Sequence, residues 1–183
     1  MSTYIALLRG INVGGNNIIR MADLKNCLQN QGFDEVQTYI QSGNVILESE
    51  LESMDAILSQ IQSALQNTFD YRNPVILIQF SELNRVISDA PPGFGDDNEN
   101  NKYDVLYLKK PLTAAETISE IPIHEDVDSA WVGSGVIYYR RNSRYLTKSM
   151  LNKIPSKPVY QKMTIRNWRT TNKIYEIAKK LDV

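Results

Sequence analysis

Apolar and polar positions alternate along this chain with two different periods, and the switches between them mark out the elements of its first half. Tyr4 to Arg9 is a short apolar run ended by a Gly- and Asn-rich loop, Gly10 to Asn17, and the run predicts a strand. From Met21 to Gln31, the residues Leu24, Cys27, Leu28 and Gln31 fall at helical spacing, with Gly32 as the helix stop. Val36 to Gln41 and Val45 to Glu48 predict two antiparallel strands meeting at the tight turn Ser42-Gly43-Asn44. Ser53 to Phe69 then aligns Ile57, Leu58, Ile61, Leu65 and Phe69 along one helix face, before the β-rich run Pro74 to Phe80. The order βαββαβ, with one helical crossover in each half, predicts the ferredoxin-like split βαβ arrangement, an antiparallel sheet carrying both helices on one face.

A helix over Ser81 to Asp89 leads into Pro91-Pro92-Gly93-Phe94-Gly95 and the acidic, polar Asp96 to Asn101, the best boundary in the chain. A second series follows. Tyr103 to Leu108 reads as a strand and Thr113 to Glu120 as a helix; Ser129 to Val132 and Val136 to Arg141 form a hairpin around Gly133-Ser134-Gly135. Thr147 to Lys153 reads as a short helix and Lys157 to Met163 as a final strand. Asn167 to Leu181 closes the chain as a helix with Ile174, Ile177, Ala178 and Leu181 as its buried stripe. Ser42-Gly43-Asn44-Val45-Ile46 and Ser134-Gly135-Val136-Ile137 occupy corresponding places in the two series. The expected fold is therefore α/β (α+β), two ferredoxin-like βαββαβ units with antiparallel sheets and a C-terminal helix, divided as residues 1–80, a connecting helix and loop 81–102, and residues 103–183.

Charge changes the picture more than composition does. The 183 residues, 42% of them hydrophobic, suffice for one substantial domain or two small ones. No window reaches the roughly 18 to 20 apolar residues that a bilayer requires, and the single Cys27 excludes an intramolecular disulfide; with no export signal, the cytoplasm is the expected compartment. The net charge of −1 hides a segregation: residues 1–139 hold 8 Lys+Arg against 19 Asp+Glu, whereas residues 140–183 hold 12 against 2. From Ser129 to Tyr175 there is no acid at all, while Tyr145, Tyr160, Trp168 and Tyr175 are interleaved with the cations. Such a stretch is built either to meet an external anion or to neutralise the acidic part of its own molecule.

Two motifs carry candidate chemistry. In the strand-to-helix loop, Gly10-Ile11-Asn12-Val13-Gly14-Gly15-Asn16-Asn17, flanked by Arg9 and Arg20, the glycines permit positive φ and let an anion approach backbone N–H groups. Its spacing matches neither the Walker nor the dinucleotide pattern, and Gly and Asn also suit a plain turn. In Thr164-Ile165-Arg166-Asn167-Trp168-Arg169-Thr170, with Lys173 beyond, Arg166, Arg169 and Lys173 stand at i, i+3 and i+7, which places them on one side of the first turns of a helix. Cations there oppose the helix dipole, so a carboxylate or a bound phosphate is expected beside them. Thr164 or Asn167 is the expected N-cap. No catalytic motif is recognisable: His124 is the single histidine, in an acidic loop, and Cys27 shares a helix face with Leu24 and Leu28. Neither a metal nor a cofactor is implied.

In these segments the chain resembles the bacterial proteins grouped as "domain of unknown function 1697". The resemblance rests on Ala6 to Asn16, Met21-Ala22-Asp23-Leu24, Gly32-Phe33, Thr38 to Val45 and Thr164 to Thr170, and spans roughly residues 3–178. It implies a cytoplasmic α/β protein with ferredoxin-like units and assigns no reaction. The leading expectation is binding of an anionic, phosphate-bearing small molecule or nucleotide by Arg9, Asn12, Gly14, Gly15 and Asn16 together with Arg166, Asn167, Arg169 and Lys173. The alternatives are single-stranded nucleic-acid binding by the basic, tyrosine-bearing second half, or a structural or protein-interaction role in which that half docks on the acidic one. Oligomeric state is not readable from the sequence.

Overall fold

The computed structural model describes residues 1–15 and 17–182. By contacts the chain divides into two compact units, one formed by Met1–Leu83 with the segment from Ile174 onward, the other by Asn84–Lys173.

In the first unit, β1 (Ser2–Leu8), α1 (Met21–Gln29), β2 (Asp34–Tyr39), β3 (Asn44–Ser49), α2 (Met54–Phe69) and β4 (Val75–Gln79) follow in the predicted order. The sheet runs β2-β3-β1-β4 with antiparallel neighbours, which is the ferredoxin-like topology. Register puts Tyr4 opposite Leu47 and Ala6 opposite both Val45 and Leu77; these residues share a face and form one core with Leu24, Leu28, Ile57, Ile61 and Leu65 of the helices. Ile5, Leu7, Ile46 and Ile76 on the other face are buried too, which is why β1 reads as an unbroken apolar run. Ser53 caps α2 by accepting from the Ala56 N–H, and Asp70 ends it in the left-handed region. The helix α3 (Phe80–Ser88) begins directly after β4, and its Phe80 stacks on Tyr175 at 5.6 Å between centroids.

The second unit repeats the topology. β5 (Asn101–Leu108), β6 (Asp128–Val132), β7 (Val136–Asn142) and β8 (Met163–Asn167) pair antiparallel in the order β6-β7-β5-β8. The correspondence extends to the turn glycines: the Leu8 N–H donates to the Gly43 carbonyl at 2.9 Å and the Leu108 N–H to that of Gly135 at 3.1 Å, both glycines having a φ of 72°.

The first crossover is helical where the sequence reading placed a helix, as the short α4 (Ala114–Thr117) continued by a 3-10 turn, Ile118–Glu120. The second, expected to hold a helix over Thr147 to Lys153, consists of short 3-10 segments at Ser143–Lys148, Met150–Ser156 and Pro158–Lys162. Pro155 and Pro158 remove backbone donors that an α-helix needs, while Asn142 and Ser149 cap the starts of the first two segments with their side chains. Leu151, Ile154 and Val159 anchor the crossover in the core, and the buried Asp128 ties it to β6, accepting from Ser149 Oγ at 2.7 Å and the Met150 N–H at 2.8 Å.

The strand expected at Lys157 to Met163 lies instead at Met163–Asn167, where Thr164 and Ile165 favour extended backbone. Thus α5 (Trp168–Ala178) starts one residue later than expected, with Asn167 as its cap; from Ile174 onward it groups with the first unit, whereas the sequence reading assigned it to the second.

Candidate functional site

At one end of the second sheet, the start of β5 and the ends of β7 and β8 come together. Register sets Lys102 opposite Arg141 and Asp104 opposite Asn167. A groove of about 670 Å³ opens here, lined by Asn98, Lys102, Tyr103, Asp104, Arg141, Asn167, Trp168 and Arg169. Its volume falls within the range of small-molecule sites.

Each side chain has a local cause for its position. Asp104 interrupts the apolar run from Tyr103 to Leu108 and is buried; Arg141 reaches across from β7 and donates to its Oδ2 through Nε at 2.9 Å and a terminal amino group at 2.7 Å. Burial raises the Asp104 carboxyl above its ordinary 3.8, and the Arg141 guanidinium pulls it back down. Asn167 turns its Oδ1 to the Thr170 N–H at 2.7 Å, capping α5, so Trp168 and Arg169 stand in its first turn beside the groove. Trp168 is fixed by the loop before β5: Phe94 meets it edge-to-face at 5.2 Å, and the indole lies against Gly95 so closely that a Cβ there would stand 2.2 Å from Nε1. That loop is braced by Asp97, whose carboxylate accepts from the Asn100 N–H and from the Asn100 and Asn101 carboxamides. Lys102, Arg141 and Arg169 thus face a groove whose lining carries the carboxylate Asp104, already spanned by Arg141.

The predicted site residues divide between the two units. Asn167 and Arg169 line the groove. Arg166 is a strand residue, buried, opposite Val105, and donates through Nη1 to Thr164 Oγ1 and the Ile165 carbonyl at 2.9 Å each. The expected helical row Arg166, Arg169, Lys173 therefore does not exist, because the chain is still extended at Arg166; Lys173 is on α5 away from the groove lining. In the first unit Arg9 is buried, its N–H donating to Tyr71 Oη at 2.9 Å and its carbonyl accepting from the same hydroxyl at 2.8 Å. Asn12 closes its own loop: with φ of 54°, it donates to the carbonyls of Ile19 and Gln41 and accepts from the Ile19 N–H. Gly14 and Gly15 have positive φ and open space where a Cβ would stand. Asn16 lies outside the described residues.

The tyrosines that a nucleic-acid-binding sheet would use are not available as platforms. Tyr103, Tyr107 and Tyr138 share the face turned away from the core cluster of Leu106 and Tyr139, yet none is more than 6% exposed. Phe94 packs edge-to-face on Tyr103 and Tyr138, Tyr138 Oη donates to the Val86 carbonyl at 2.8 Å, and Tyr107 Oη donates to Thr171 Oγ1. A base cannot stack on rings that the protein's own side chains already cover.

Sequence reading missed Asn98, Lys102, Tyr103, Asp104 and Arg141 as partners in one site. The legible signal was Asp104, an acid inside the apolar strand Tyr103 to Leu108; its meeting with Arg141 depends on strand register.

Among solved structures, the chain is similar to a conserved bacterial protein from Streptococcus pneumoniae, with 24% identity and a TM-score of 0.83 over 97% of this chain and 98% of that one, a likeness of fold. No curated protein matches it. The profile of the family described as "Protein of unknown function (DUF1697)" matches residues 1–138, and the chain belongs to that family.

Proposed function

We propose that the groove of the second unit binds an anionic, phosphate-bearing small molecule or nucleotide. The observation that carries this reading is the convergence of Lys102, Arg141 and Arg169 on one small-molecule-sized groove in which Arg141 already spans the single lining carboxylate. Two cations are then left to an incoming anion, beside the N–H groups that open α5. Trp168 offers the edge of its indole to a planar group, and Asn98 offers a carboxamide. The glycine loop of the first unit supports an anion less well, since Asn12 spends its carboxamide on loop closure. The compartment in this reading is the cytoplasm, where the buried Cys27 stays a thiol.

The test is thermal melting of the purified protein with inorganic phosphate, AMP and ATP, beside the double variant Lys102→Gln/Arg169→Gln. A ligand at a hundredfold its dissociation constant adds about 2.7 kcal/mol to the wild type. We expect that gain to vanish in the variant. No shift from any of the three, or an undiminished shift in the variant, would overturn the reading.

A further inference from the structure

The crossover between β7 and β8 carries a second group of exposed cations, none of which lines the groove. Arg144, Lys148, Lys153, Lys157 and Lys162 are exposed along its 3-10 segments, and among the described residues none of these five makes an ion pair. No Asp or Glu occurs between Ser129 and Tyr175 to offset them locally. Protein surfaces ordinarily intersperse the two signs, because like charges held together repel. The unit as a whole holds 14 Lys+Arg against 10 Asp+Glu, but its acids lie before Ser129, leaving the crossover purely basic. The cations also do not serve as packing stems, for Leu151, Ile154 and Val159 supply the crossover's buried anchors.

The geometry points to this crossover as a binding surface for single-stranded nucleic acid, its cations holding successive phosphates and Tyr145 stacking on a base. Tyr145 is 46% exposed and lies beside Lys148, whose Nζ is 5.2 Å from the ring centroid, so an aromatic face and phosphate-binding charge sit side by side. Tyr145 is also the one large apolar residue of the crossover that is strongly exposed, which gives an acyl layer little to hold and disfavours a lipid surface. The surface is independent of the groove and of the covered tyrosines on the sheet.

The test is fluorescence anisotropy of a labelled twelve-nucleotide oligouridylate with the full chain over a series of salt concentrations. Engagement of four or five phosphates gives a slope of log K on log salt of roughly −3 for a single strand. The variant Lys148→Gln/Lys153→Gln/Lys157→Gln should cut that slope by about 2 and weaken binding at least tenfold at low salt. Tyr145→Ala should leave the slope unchanged and weaken binding about fivefold or more. The groove variant Lys102→Gln/Arg169→Gln should bind as the wild type does. Absence of binding at about 50 mM salt, a slope that the triple variant leaves intact, or binding lost only in the groove variant would overturn the inference. So would equal binding to anionic phosphatidylserine vesicles with no effect of Tyr145→Ala, which would assign the surface to lipid. Melting curves of each variant, whose changes are all at exposed positions, separate lost binding from lost folding.

Discussion

Arg141 and Asp104 are joined by two donors on a single acceptor: Nε and a terminal amino group of the guanidinium both reach Asp104 Oδ2, at 2.9 and 2.7 Å. The carboxylate is almost fully enclosed, whereas the guanidinium retains about a fifth of its exposure. The pair is therefore asymmetric, with the acid depending on the base. Removing Arg141 leaves a buried charge unpaired, and Arg141→Ala should cost about 3–5 kcal/mol at neutral pH. Asp104→Asn should cost less, because the freed guanidinium can reach water.

The same pair fixes a pH dependence. Folding raises the Asp104 carboxyl above its ordinary 3.8, so the folded state holds this proton more tightly than the unfolded chain. Ionisation then costs stability as pH rises from about 4 through the folded value, and loss of Arg141 enlarges that cost. The deficit of Arg141→Ala should accordingly be smaller at pH 4 than at pH 7. Urea denaturation at both pH values would measure it, and an equal deficit would contradict the assignment.

Gly95→Ala probes the loop that holds Trp168. The added methyl would stand 2.2 Å from Nε1 and 2.3 Å from Cδ1 of the indole, on a backbone with φ of 93°. The ring must move, with a stability loss of about 1–3 kcal/mol. In a Trp131→Phe background, which leaves one tryptophan, emission should shift to the red as the indole gains water. An unshifted spectrum would show that Trp168 does not rest on Gly95.

The glycine loop of the first unit separates conformational from packing costs. Gly14→Ala meets open space and should lose only about 1 kcal/mol through its positive φ. Gly43→Ala would place a methyl 2.6 Å from Ile11 Cγ2 and 2.8 Å from Leu8 Cβ and should lose clearly more. Asn12→Ala forfeits the loop-closing bonds to Ile19 and Gln41 and should lose about 1–3 kcal/mol. Chemical denaturation of the three variants should rank Gly14→Ala as the mildest.

Above pH 10 the protein should lose stability steeply. Burial raises the phenols of Tyr107, Tyr138 and Tyr139, Tyr138 being pushed up to about 12 with some help from Asp89. Unfolded tyrosines ionise near 10, so from pH 10 upward the folded state binds more protons and each phenol lowers stability by up to about 1.4 kcal/mol per pH unit. Below pH 10 both states are protonated and the effect disappears. Urea midpoints between pH 9 and 12 should fall along this course, less steeply in Tyr138→Phe.

What the sequence determined by itself was whatever depends on neighbours along the chain. The spacing of Leu24, Cys27 and Leu28 and of Ile57, Ile61 and Leu65 fixes helix faces, and the turn glycines Gly43 and Gly135 fix hairpins in both units, so the repeated ferredoxin-like topology was legible. The helix start beside Asn167 was legible too, but the strand before it was not, because Thr164 to Arg166 fits an exposed helix start and an edge strand equally by pattern; pairing with β5 decided for the strand. Nor was the groove, whose Lys102, Asp104 and Arg141 come from strands nearly forty residues apart. Only tertiary structure sets that register, and only it shows which aromatic rings are spent on packing: Tyr103 and Tyr138 lie under Phe94, while Tyr145 stays open beside Lys148. The reason is physical: helical periodicity is a property of a local segment, whereas burial of a charge or a ring is settled by what the rest of the chain brings against it.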